Sequence, residues 1–397
     1  MLLEVHMLQN HAPANLNRDE TGAPKDAMFG GFPRARISSQ CLKRSIRSSP
    51  VFRDEMKDVE LGIRTRLLPD LVKKELKAKG ISDELTEIAA KKVSGFGTKE
   101  GTEQKENKTA QILFLSPEDV KDVVDAIIKI IKEKEKDPKA KSLEEVAFKD
   151  ITIKVKSRKL SDITPDLSLF GRMTTSDALL DVDAAVQVAH AISTNKIDRE
   201  FDYFVAIDDI ASQSTSLADK GSAMIGTVEF NSSTFYKYFS LDVEGFIRNI
   251  YGPNIDNATL GDAKKLAQKT IHAFLKSAIF TTPTGKQNTF AAHQLPDAIL
   301  VEIRDQKIPL SYANAFLEPC KPAQGKDLMT VSIEKFKKHA QMITDKFNMK
   351  SLAKIWFTTS DNKELQAWDT AICAKDIESV LAEIDKSISK DVKKESI

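Results

Sequence analysis

The spacing of apolar residues changes period several times along this chain. Residues 2–8 form a short apolar run interrupted by Glu4 and His6, which predicts a strand, and the Asn-, Pro- and Ala-rich residues after it predict a long irregular loop. At Ser38 the pattern becomes helical. Ser38 or Ser39 can cap this helix, Cys41, Leu42 and Ile46 share its buried side, and Gln40, Lys43, Arg44 and Arg47 lie opposite. Residues 58–156 read as a helical, lysine-rich insertion, with a break at Gly80 and a soft stretch around Gly95, Gly97 and Gly101. Its clearest helix starts at Ser116, where Ser-Pro-Glu-Asp supplies a cap, a first-turn proline and early acids before Val120, Val123, Val124, Ile127 and Ile131.

The second half mixes both periods. A helix is expected over residues 184–192 and strands over 201–207 and 221–230. The polar segment 208–220 between those strands suggests a hairpin or flap. Helices follow at 263–279, 332–347 and 376–388, with strands at 298–303 and 354–358. This order predicts an α+β protein. There is no internal repeat and no low-complexity tract.

At 397 residues the chain has room for two or three domains. Its 41% apolar and 29% charged residues exclude disordered, collagenous and membrane classes. Lys and Arg number 59 against 58 Asp and Glu, so any polyanion-binding surface must come from local segregation of charge. Cys41, Cys320 and Cys373 are far apart, which argues against a zinc ribbon or disulfide framework and for a reducing cytoplasm. Glu4 and His6 break the apolar run a signal peptide needs, so neither export nor a membrane anchor is expected.

Charge segregates most sharply within residues 15–47. Between Ala27 and Arg53 there are six basic residues, Arg34, Arg36, Lys43, Arg44, Arg47 and Arg53, and no acid. Gln40, Lys43, Arg44 and Arg47 are three or four apart and project from one helical face, while Ser38 and Ser39 sit at a helix N-terminus that favours phosphate. Such a face grips a polyanion backbone; the competing reading is a solvated cationic helix. Residues 129–141 carry six lysines among three acids and pose the same alternative.

Other signals are weaker. Thr282-Pro-Thr-Gly-Lys-Gln lacks the first Gly of a Walker loop and has Gln287 where Ser or Thr would hold magnesium. The six histidines have no metal-ligand spacing. His11, Asp19 and Asp26 could support metal-dependent ribonuclease chemistry, but pairing of the two acids with Arg18, Lys25 or Arg34 is the favoured reading. No catalytic residue, metal or cofactor is therefore expected.

The segment Asn15-Leu-Asn-Arg-Asp-Glu-Thr-Gly-Ala-Pro-Lys-Asp-Ala-Met-Phe-Gly-Gly, continuing through Phe32-Pro-Arg-Ala-Arg-Ile-Ser-Ser-Gln-Cys-Leu-Lys-Arg-Ser-Ile-Arg, closely resembles the N-terminus of the CasC family, the repeated backbone subunit of type I-E CRISPR Cascade. The resemblance continues at Phe170-Gly-Arg-Met, Val188-Ala-His-Ala-Ile-Ser-Thr-Asn-Lys, Phe201-Asp-Tyr-Phe-Val-Ala-Ile-Asp-Asp, Ile225-Gly-Thr-Val-Glu-Phe and Gly285-Lys-Gln-Asn-Thr-Phe-Ala. It implies a hand-shaped α+β subunit with an RRM-like (ferredoxin-like) palm, helical fingers and a β-hairpin thumb. The palm would take residues 1–58, 158–192 and, with C-terminal helices, 225–397; the fingers 59–157; the thumb 193–224.

The resemblance further implies a non-enzymatic cytoplasmic protein that polymerises along crRNA, presents its bases to target DNA in antiviral defence, and assembles with further copies of itself and other Cascade subunits. A metal-dependent ribonuclease and a free-standing single-strand-binding module are the alternatives. Residue by residue, it carries over Lys25, Ser39, Gln40, Lys43 and Arg47 as guide-backbone contacts, with Lys286 able to approach RNA. Met173, Tyr203, Phe204 and Ile207 become base wedges, and Lys132, Lys134, Lys136, Lys139 and Lys141 become contacts to target DNA. Hydroxyls and cations hold phosphate without reading sequence, and apolar or aromatic wedges act on any base, so such contacts suit a guide of arbitrary sequence. Phe32-Pro33 departs from the basic residues of some relatives, so one phosphate contact is absent or replaced by packing. The RNP motif of conventional RRM proteins is also missing.

Overall fold

The computed structural model describes residues 1–397 apart from 99–100, 105, 147–150, 152–162, 175–178, 207–223 and 394–396. The chain divides into two compact units. One comprises Met1–Arg53, Val188–Ser240 and Ile271–Asp391, the other Asp54–Gln187, Leu241–Thr270 and Val392–Ile397. Among the described residues no helix is long and apolar enough to cross a membrane.

The strands are β1 (Leu2–Ala14), β2 (Asp26–Phe29), β3 (Phe32–Ile37), β4 (Ile63–Thr65), β5 (Leu113–Leu115), β6 (Val186–Val188), β7 (Ala191–Ser193), β8 (Glu200–Ala206), β9 (Met224–Asp242), β10 (Ala298–Arg304), β11 (Ala353–Thr358) and β12 (Ile372–Cys373). Ten of these form one mixed sheet, in the order β12-β11-β10-β1-β9-β7-β3-β2, with β6 and β8 also pairing with β9. β1 pairs antiparallel with β10 from Leu2↔Arg304 to Leu8↔Ala298, and residues 1–9 are all buried. A strand buried on both faces can place apolar side chains at successive positions, and that is how β1 reads.

One face of the sheet places Leu8, Tyr236, Tyr238, Leu300 and Trp356 against Ile333, Phe336 and Ala340 of the helix Leu328–Lys346. The same face buries Glu4, His6, Glu302 and Arg304. Arg304 bridges Glu4 and Glu302, and Tyr238 and Tyr312 donate to those carboxylates at 2.5 and 2.7 Å. Elsewhere Phe239 meets Phe274 edge-on at 5.4 Å, and the helix Ile377–Asp391 packs on β10 and β11.

Helices α1 (Ser39–Ser48) and α2 (Pro50–Glu55) follow the β2–β3 hairpin. The second unit holds α3 (Leu68–Ala78), α4 (Asp83–Val93), α5 (Pro117–Lys136), α6 (Pro165–Phe170) and the β4–β5 ribbon. Its core joins Leu68, Val72 and Leu76 to Ala89, Val93, Val123, Ile127 and Ile131. The cap expected at Ser116 is a full capping box: its hydroxyl accepts from the Asp119 amide at 3.1 Å and the Asp119 carboxylate accepts from the Ser116 amide at 2.6 Å.

Two expectations from the sequence fail. β1 does not stop at Leu8 but runs to Ala14, because polar side chains beyond Leu8 find partners in the sheet: Gln9 accepts from Lys237, and Asn10 Oδ1 accepts from the Thr234 hydroxyl at 3.0 Å. Residues 184–192 are not a helix but contribute β6 and β7. The alanines there favour a helix intrinsically, yet Val186, Val188 and Ile192 are β-branched and pairing with β9 decides.

Lys237 on β9 is buried beside Gln9 with no acid partner among the described residues, and burial pulls its ammonium pKa down to about 8. Between that value and the unfolded lysine range the unfolded chain binds the extra proton, so stability contributed by this site rises with pH from about 8 to about 10.5. Urea unfolding of wild type and Lys237→Met across pH 7–11 will show the variant's advantage shrinking by on the order of 3 kcal/mol over that window. A margin that does not move with pH contradicts the assignment.

Candidate nucleic-acid interface

The N-terminal motif divides into residues that build a surface and residues that occupy it. Asn17 does most of the building: its Oδ1 accepts from the Ser38 amide at 2.8 Å and its carbonyl accepts from the Lys25 amide at 2.8 Å. The Arg36 amide in turn donates to the Lys25 carbonyl at 2.9 Å. Asn15 donates from Nδ2 to the carbonyls of Gly22 and Glu229 at 2.9 and 3.0 Å. Gly30 and Gly31, both at positive φ, form the two-residue turn between β2 and β3, the geometry such hairpins prefer. A Cβ on Gly30 would lie 2.0 Å from the Leu317 carbonyl oxygen, so only glycine fits.

Arg34 belongs to the builders. It is fully buried, and its Nη1 and Nη2 donate to the carbonyls of Ser193, Thr194, Phe316 and Leu317 at 2.6–3.1 Å. It therefore leaves the cationic set expected from the sequence.

The occupants gather around α1. Ser38 caps the helix by accepting from the Cys41 amide at 3.2 Å, Leu42 and Ile46 are buried, and Gln40 and Arg44 are exposed. Lys43 and Arg47 are half-buried, and burial draws the Lys43 ammonium below the usual lysine range. Ser39 is half-buried with its hydroxyl 3.4 Å from Gln40 Oε1. Half-buried Lys25 stands near Arg36 and His190: Arg36 Nη1 is 3.3 Å from His190 Nδ1, and burial, then Arg36 and Lys25, hold this imidazole below its ordinary pKa. His190 is the member the sequence reading lacks, with the Val-Ala-His of the β6–β7 segment as the available signal, and Arg36, counted there among the six basic residues, carries no assigned contact.

Lys286 sits in a left-handed conformation (φ 52°) after Gly285, which abuts the Leu16 carbonyl. Thr281, Thr284 and Gly285 share a trough of about 740 Å³ with Arg18, Arg44 and Ser48. Lys286 is thus brought to the same N-terminal segment.

Of the motif's three acids, Glu20 is exposed on the trough lining near Arg18 and Arg44, and the other two are committed, though not to the partners expected. Asp26 pairs with Arg199, which also reaches Glu229 at 3.4 Å. Asp19 closes a local turn, accepting from Thr21 and from the Ala23 amide at 3.0 Å. His11 is buried, and burial with nearby Lys237 lowers it to about 3. Among the described residues no group of three His, Cys, Asp or Glu is placed to hold a metal.

On the β8–β9 hairpin Tyr203 is 61% and Phe204 38% exposed, so ordinary strand burial does not explain them. Phe204 lies across Gly226, where a Cβ would come within 2.5 Å of its ring. Ile207 lies outside the described residues.

In the second unit Met173 is 93% exposed, and its neighbours explain why. Gly171 ends α6 at φ 76°, and Arg172 turns inward to pair with buried Asp119 at 2.7 Å and the Phe114 carbonyl at 3.0 Å. Of the five fingers lysines, Lys132, Lys136, Lys139 and Lys141 are exposed, whereas Lys134 is half-buried and donates to the carbonyls of Pro138 and Ala140, both at 2.8 Å.

The fold and surface define an α+β protein with a large mixed sheet and a cationic helix beside a hairpin. The chain belongs to the family of CT1975-like proteins, whose model matches residues 3–384. Its fold is that of a chain from a solved "CRISPR RNA-guided surveillance complex, pre-nicking", with a TM-score of 0.78 and 24% identity over 98% of this chain and 100% of that one. A second chain, from a "CRISPR RNA-guided surveillance complex", has a TM-score of 0.69 and 20% identity over the same shares. No curated protein matches significantly.

Breaking the Arg172–Asp119 pair leaves a buried carboxylate, so Arg172→Ala is expected to cost about 3–5 kcal/mol in denaturant unfolding. Met173→Ala, at a position almost fully in solvent, will change stability by under ~0.5 kcal/mol. Equal effects of the two would contradict this division of roles.

Proposed function

We propose that this protein is a non-catalytic, crRNA-binding backbone subunit of a Cascade-type CRISPR surveillance complex, of the CasC kind. Several copies polymerise along the guide, hold its phosphates, leave its bases open to target DNA and meet the other Cascade subunits. The observation that carries the reading is the face of α1: Gln40, Lys43, Arg44 and Arg47 beside Lys25, Arg36 and His190, while two of the motif's three acids, Asp26 and Asp19, are engaged by Arg199 and a backbone turn. Such a face binds phosphate irrespective of sequence. Family membership and the two surveillance-complex folds support the same reading.

Within it, the sheet unit serves as an RRM-like palm, the helical unit supplies fingers, and the β8–β9 hairpin is a thumb whose Tyr203 and Phe204, with Ile207, wedge between bases. Met173 is a further wedge. The non-catalytic assignment rests on geometry: His11 is buried and neutral and Asp26 is ion-paired, so neither is poised as a base.

Filter binding of labelled guide RNA across a salt series tests the grip. Lys43→Ala with Arg47→Ala is expected to weaken binding and to flatten the log–log salt slope by about 0.7 per lost phosphate contact. An unaltered slope overturns the assignment. Alanine at Lys132, Lys136, Lys139 and Lys141 should flatten the salt dependence of target-DNA binding while guide RNA is retained, with Lys134→Ala contributing least because its ammonium caps a helix end.

A further inference from the structure

A second cavity, of about 710 Å³, opens in the sheet unit beside the helix Leu328–Lys346, the turn after it, the start of β11 and the segment around Asp369. Its inner wall includes Glu302, which is fully buried. One carboxylate oxygen, Oε2, accepts from Arg304 at 2.6 Å and Tyr312 at 2.7 Å. The other, Oε1, has no well-aligned donor, although the Ser351 hydroxyl interacts with this carboxylate and the Lys354 ammonium stands 3.9 Å away. Lys354 also lies 4.0 Å over the Trp368 ring, so its charge is shared with an aromatic face. A buried acceptor without a well-aligned donor is costly, and the cavity is where a donor can enter.

Asp345 and Asp369 are exposed on the lining and the Glu302 charge is already paired with Arg304, so the two aspartates face one lysine there. That sign repels phosphate and separates this site from the guide-binding face. We infer that the cavity is a binding site for an organic cation bearing N–H donors, an alkylammonium or guanidinium group, whose head meets Glu302 Oε1 and whose charge is balanced by Asp345 and Asp369. Two sources supply that chemistry: a free polyamine, or a basic side chain of an adjoining subunit. The inference does not rest on the guide-RNA reading.

The chain has only two tryptophans, Trp356 and Trp368, which lie 5.1 Å apart with Trp368 against Lys354. Intrinsic fluorescence therefore reports on this cavity. The full chain is titrated with spermidine at constant ionic strength, with sodium chloride as the reference, and again as Asp345→Asn with Asp369→Asn, whose exposed positions leave the core intact. A saturable signal weakened at least about tenfold in the double variant supports the site and a free-amine source, since loss of charge-assisted contacts costs that much. A signal that appears only when guide RNA drives assembly, and is lost in the double variant, supports the site with a neighbouring subunit as its source. Guide binding is measured on the same samples, so failure to bind RNA is separated from failure of this site. A response that never saturates, matches sodium chloride, or persists unchanged in the variant overturns the inference, as does the absence of any signal in both arms.

Discussion

The buried Arg34 guanidinium is the contact on which the cationic face depends. It anchors β3 to carbonyls at the end of β7 and beside the 3-10 turn Ala313–Phe316, and α1 begins two residues after β3 ends. A guanidinium cannot shed its proton to escape burial, so it is stable there only because four carbonyls surround it. Each hydrogen bond to a charged group contributes about 1.5–3 kcal/mol, and removing the donor would strand buried acceptors as well. The charge thus fixes position without reaching solvent.

That division explains why the N-terminal segment is so polar yet so ordered. Asn15, Asn17 and Asp19 spend their side chains on backbone groups that no regular element satisfies, which lets an irregular loop keep a defined course between strands. Once those groups are satisfied internally, Gln40 and Arg44 are left facing water beside half-buried Lys25. The second unit repeats the device. Arg172 and Asp119 bury opposite charges beneath a glycine-terminated helix, and the next side chain, Met173, is left in solvent.

Much of this was legible in the sequence. The α1 cap and its buried residues, the Ser116 helix start and the α+β class all follow from short-range rules, because caps and periodicity act within one or two turns. Long-range satisfaction was not legible. Arg34 and Arg36 are two residues apart on one strand, and nothing local says that one meets carbonyls from distant segments while the other donates to the Asp26 carbonyl at 3.0 Å and reaches His190. For the same reason the partner of Asp26 proved to be Arg199 rather than a neighbour in sequence, and residues 184–192 joined the sheet despite their alanines.

The acids show how the two scales combine. A carboxylate beside a bound phosphodiester would repel it, so a phosphate-binding surface must neutralise its acids or turn them away. Arg199 does the first for Asp26 and a backbone turn engages one carboxylate oxygen of Asp19, while Glu20 stays exposed on the trough that Arg18 and Arg44 also line. The same requirement accounts for a nearly neutral chain carrying such a face: carboxylates that balance its charge lie elsewhere, as at Asp345 and Asp369, where a cavity of opposite sign can form without weakening the first. At physiological salt the screening length is about 8 Å, so surfaces separated by more than that keep their signs independently.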